Sequence, residues 1–183
     1  MVLYQTVSDR DNADYIEDNA PFRCERKDAW LGEGYYFWDK LIKNAHWWGE
    51  IAYNNEYVIT KFSCDYNPER CFDLHGNMEH VKFLRENFEL LKKEKIANNT
   101  TTVPQLIEFL KKNTDIVNMY DCIRACGIKS RSSNNVTMLF NNSLKAYLDF
   151  FPVVQLCLFR KNSFNLTRGQ IVYPTHYVKG YLV

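Results

Sequence analysis

Neither sign of charge predominates in this chain: 23 Lys and Arg stand against 22 Asp and Glu, a net charge of +1, so the balance neither advertises nor excludes a nucleic-acid partner. Local basic clusters such as Lys111-Lys112 and Arg160-Lys161 read as solvated helix ends or loops. There is no internal repeat and no low-complexity tract. The opening segment has no basic n-region followed by an apolar h-region, and no apolar run approaches a membrane span, so a cytoplasmic protein without a membrane partner is expected. Disulfide spacing is missing too. Six cysteines, at 24, 64, 71, 122, 126 and 157, follow no framework, and several sit in apolar runs where a free thiol acts as a small core hydrophobe. Cys64, Cys71, His75 and His80 come nearest to a metal set, but without a Cys-x-x-Cys knuckle no metal is expected.

What is present is enough for one core: 46% of the 183 residues are hydrophobic and 15% aromatic, which predicts a single domain over 1–183. The apolar run from Val2 to Val7 predicts a strand, and Asp9 can cap a following helix that carries Ala13 and Ile16 and stops at Asn19-Ala20-Pro21. A charged loop from Arg23 to Asp28 leads into an aromatic strand, after which Asp39 is the expected cap of a helix with Leu41, Ala45, Trp48 and Ala52 at helical spacing. Residues 56–64 alternate as a strand. Helices are expected over 78–96, from the capping box at Thr102, and from about 114 to a stop at Gly127. Residues 136–140, 153–159 and 170–173 read as strands, 143–150 as a short helix and 177–183 as a last strand. Strands at both ends around a helical insert at about 77–127 predict an α+β domain.

The most informative stretch is Trp30-Leu31-Gly32-Glu33-Gly34-Tyr35-Tyr36-Phe37-Trp38. Glycines without a Cβ let another group approach the main chain, and Tyr35 and Tyr36 must point to opposite faces of the strand they open. This Gly-x-Gly-Tyr-Tyr-Phe pattern resembles the second strand of the ADP-ribosyltransferase fold, and the first strand, Leu3-Tyr4-Gln5-Thr6, resembles the opening strand of its polymerase-like members. Later, Val154-Gln155-Leu156-Cys157-Leu158 resembles the strand that carries the third signature residue in small bacterial members, while Arg168-Gly169-Gln170-Ile171-Val172-Tyr173 offers a competing match. The four segments occur in the expected order over nearly the whole chain.

The resemblance implies a split β-sheet core and NAD as substrate. Tyr36 would stack on nicotinamide beside Tyr35, Gly32 and Gly34 would allow close approach, and Gln5 and Thr6 would meet the adenosine ribose. Gln5 stands where the family has histidine, and an amide can still donate and accept. Either Gln155 or Gln170 would hold the reacting ribose. Relatives place glutamate there, whose charge steadies the cationic centre left when nicotinamide departs; glutamine lacks that charge, which favours transfer of single ADP-ribose units. Ala45 and Trp48 are assigned to the scaffold behind the pocket, and His46 is read as a surface or satisfied residue. Asp121 and Arg124 read as a buried ion pair.

The expectation is a mono-ADP-ribosyltransferase of the toxin or phage-defence kind, acting on a protein or a single-stranded RNA acceptor, with a neutralising antitoxin protein as a further partner. Two alternatives stay open: an NAD glycohydrolase with water as acceptor, and a catalytically silent module that keeps the fold.

Overall fold

A computed structural model describes residues 1–26, 28–128, 137–141 and 146–178. Its centre is a seven-stranded sheet in the order β4-β5-β8-β2-β1-β3-β9, from β1 (Val2–Ser8), β2 (Tyr35–Asp39), β3 (Tyr57–Ser63), β4 (Cys71–Asp73), β5 (Cys122–Ile128), β8 (Val153–Leu158) and β9 (Gln170–Tyr173). Only β4 and β5 run parallel; every other neighbouring pair is antiparallel. β6 (Thr137–Leu139) and β7 (Tyr147–Asp149) form a separate two-stranded ribbon. The helices are α1 (Ala13–Asn19), α2 (Ile42–Ala52), α3 (Met78–Lys93), α4 (Val103–Asn113) and α5 (Ile116–Met119). The chain is therefore α+β with a mostly sheet core, and no helix among the described residues is long and apolar enough to cross a membrane.

The strands sort their side chains with the period of two that a pleat imposes. Along one side, Leu3, Phe37, Phe62, Leu156 and Leu158 pack with Ile16 of α1. Along the other, α4 and α5 lay Leu106, Ile107, Leu110 and Ile116 on Phe72, Ile123 and Cys157, while Ala45 of α2 covers Trp38, Ile59 and Val153. Trp30 packs against both of these last two groups and marks their junction.

Several sequence expectations need correction. Residues 122–127 are strand rather than helix, and Gly127 lies inside β5 instead of ending a helix. Cys122 and Ile123 are both fully buried against different core groups, so a strand flanked on both edges shows no alternation to read. Asp39 closes β2 instead of capping α2, because the Arg124 guanidinium holds its carboxylate at 2.8 Å. Asp9 accepts from the Asp11 amide at 3.0 Å, and the cap position of α1 is Asn12. Residues 147–149 are strand where a helix was expected. Positions 136, 143–145 and 179–183 of the remaining expectations lie outside the described residues. The Thr102–Gln105 capping box forms as read.

Asp121 and Arg124 are each ion-paired, but not with one another. Arg124 bridges Asp39 and Asp73, whereas Asp121 takes Arg70 and Arg160.

Candidate functional site

β1 meets its two neighbours unequally. Against β3 it forms a ladder from Val2↔Ser63 to Ser8↔Tyr57, whereas against β2 the register spans only Leu3↔Asp39 and Tyr4↔Trp38. One residue further on, it is the Gln5 side chain that reaches β2, donating to the Tyr36 carbonyl at 3.3 Å. At this parting lies a cavity of about 320 Å³. Gln5 and Thr6 line it from β1, Tyr36 and Trp38 from β2, Gln155 from β8 and Trp48 from α2.

A further wall comes from residues 22–26 and 28–30, between α1 and β2. It is tied down at three places. The Gln5 amide donates to the Phe22 carbonyl at 2.9 Å and accepts from the Phe22 amide at 2.7 Å. Cys24 and Gly34 exchange both main-chain hydrogen bonds, at 2.8 and 3.2 Å. The Tyr36 hydroxyl accepts from the Leu31 amide and donates to the Gly32 carbonyl, both at 2.7 Å. Burial drives the Tyr36 hydroxyl to titrate far above the usual tyrosine range, so it remains a neutral donor and acceptor. The same segment carries Arg23 paired with Glu33 at 2.9 Å, and Arg26 held by both oxygens of Asp28 at 2.9 and 2.6 Å.

Gln155 differs from every other polar group of the wall. It is only 8% exposed, it pairs in register with Trp38, and its Oε1 finds no hydrogen-bond partner among the described residues. An orphaned buried amide oxygen costs about 1–3 kcal/mol unless something outside the protein satisfies it. Large rings line the same cavity: Trp38 lies 6.1 Å from Trp48, and Trp30, Tyr36 and Tyr53 stand with them. Rings of this kind attract a flat cationic heterocycle through their negative faces.

The sequence-derived residues divide accordingly. Gln5, Thr6, Tyr36 and Gln155 come together at the cavity. Thr6 spends its hydroxyl on the Ala45 carbonyl at 2.9 Å, tying β1 to α2. Tyr35 packs with the Leu3 and Phe37 side of the sheet, opposite to Tyr36. Gly32 and Gly34 are needed by the fold itself. Gly32 sits at a φ of +78°, and a Cβ on Gly34 would collide with Cys157 and lie 2.7 Å from the Leu158 carbonyl. Gln170 is exposed on edge strand β9, four places away from β8 in the sheet, and does not line the cavity. His46 faces Tyr57, its Nδ1 3.0 Å from the hydroxyl, and desolvation pulls its pKa below the usual histidine value. Of the segment from Arg23 to Asp28, read as a plain charged loop, residues 23–26 and 28 line the cavity; its position between a helix and a glycine-led strand was the available signal.

No family model matches this chain, and neither a curated protein nor a solved structure matches it.

Proposed function

We propose that this chain is a mono-ADP-ribosyltransferase that takes NAD as donor and passes one ADP-ribose to a macromolecular acceptor. The observation that carries the reading is Gln155, which lines a cavity walled by Trp30, Tyr36, Trp38, Trp48 and Tyr53 and whose buried Oε1 has no partner among the described residues. A cavity of about 320 Å³ suits a small-molecule moiety. The nicotinamide ring is a flat cation of the kind such rings bind, and the adjoining ribose offers hydroxyl donors to the Gln155 oxygen.

In the reaction the bond between ribose C1′ and the nicotinamide nitrogen breaks, and its electron pair neutralises the departing ring. The acceptor nucleophile then bonds to C1′ and releases its proton. Gln155 would fix the reacting ribose through a hydroxyl without adding negative charge, which fits transfer of a single unit better than chain growth. One observation favours a second reading, a catalytically silent interaction module that keeps the fold: the Gln5 amide is already engaged by the Phe22 main chain, leaving the adenosine ribose without its expected partner.

Incubation of the purified protein with adenylate-labelled NAD and cell lysate tests the proposal. Label should enter macromolecules, and its loss under protease or under ribonuclease identifies protein or RNA as acceptor. Free ADP-ribose with no labelled macromolecule would indicate a glycohydrolase, and intact NAD would leave the silent module.

A further inference from the structure

We infer that Gln5 and the hydroxyl of Tyr36 are positioning groups: they hold residues 22–26 and 28–34 as a fixed wall over the cavity, and so set ligand affinity through that wall rather than by touching the ligand. The inference rests on the NAD-site reading for the identity of the ligand, but not for the wall itself.

The hydrogen bonds carry the argument. A glutamine side chain commonly faces water or makes one adaptable contact, whereas Gln5 is 5% exposed and uses both ends of its amide on the main chain of Phe22. The pairing imitates a strand ladder with a side chain in place of a strand. It begins where the β1–β2 register stops. Tyr36 does the same at the other end, its hydroxyl bridging the Leu31 amide and the Gly32 carbonyl across a turn that Gly32 makes at positive φ. The Cys24–Gly34 bridge, which encloses the second anchor, doubles the segment back on itself. Arg23, Arg26 and Trp30 all face the cavity from this doubled segment. Loosening either anchor frees the segment that carries them without removing a ring from the cavity.

Tyr36→Phe is the sharp variant, because it keeps the ring and deletes only the hydroxyl. Gln5→Ala tests the other anchor. Limited trypsinolysis reads the wall directly, since Arg23 and Arg26 are exposed cleavage sites within it. In both variants cleavage after these arginines should rise about tenfold, at temperatures where circular dichroism is unchanged. NAD binding should weaken about tenfold as a rise in KM, with kcat within a factor of about three. Unchanged cleavage and unchanged KM in Tyr36→Phe overturn the inference, as does a loss confined to kcat. If Gln5→Ala does not fold, Tyr36→Phe decides alone. If the wild type binds no NAD, the functional reading fails, and trypsinolysis together with acrylamide quenching of tryptophan fluorescence still decides the wall: quenching that rises in Tyr36→Phe supports it, and unchanged quenching and cleavage refute it.

Discussion

The two sides of β1 obey different rules. Toward β3 every residue of β1 has a partner, and Phe62 of β3 joins Leu3 in an apolar cluster, where it meets Phe37 of β2 edge-on at 5.3 Å. Toward β2 the ladder stops after two pairs, side chains replace main chain as the connecting groups, and a cavity opens. Closed ladders give stability, and a broken one leaves room for a ligand at the cost of polar groups that must be satisfied some other way. Two glutamines show the two solutions. Gln5 is satisfied by the protein's own main chain, while Gln155, equally hidden, keeps an oxygen unpaired.

The comparison can be broken most forcefully on its closed side. Phe62→Ala should cost about 3–5 kcal/mol of stability, seen as a lower denaturation midpoint, because it empties a fully buried ring site on β3 that packs against Phe37. Gln5→Leu comes next. It leaves the Phe22 amide and carbonyl without their partner, and chemical denaturation should register a loss of about 2 kcal/mol. A result near zero would mean that water replaces the glutamine and that the wall needs no anchor there.

The smallest effect is a pH dependence at the far end of β3. Desolvation holds the folded pKa of His46 below its unfolded value of about 6.5. The fold therefore favours the neutral ring. His46 costs nothing above about pH 6.5, and stability declines as pH falls from there through the lowered folded value. Melting curves at stepped pH should show this decline in the wild type and a flatter profile in His46→Gln.

Much of the open side was legible before the fold was known, because its residues break ordinary patterns. A glycine pair running into four aromatics, and a glutamine inside the apolar run from Val153 to Leu158, are both difficult to explain as plain core. The pairing that makes them neighbours was less legible. Nothing local tells Gln5 to bond Phe22, and the aromatic wall draws Trp30, Trp38 and Trp48 from separate elements. The glycines were found for one reason and proved necessary for another, since β8 and α4 crowd Gly34 and Gly32 directly. Gln155 and Gln170 could not be ranked by motif alone; sheet order separates them, with β8 beside β2 and β9 at the edge. Strand β5 was misread because burial on both faces erases the alternation that identifies a strand.

The most direct test of the account is a paired measurement on Gln155→Leu, with NAD cleavage and thermal stability determined on the same preparation. Replacing an orphaned amide by an apolar side chain of similar size should leave the melting temperature equal to or above that of the wild type, while the rate of NAD cleavage falls about 100-fold. A variant that melts lower and cleaves NAD as fast as the wild type would show that Gln155 serves the fold and that the ligand site lies elsewhere.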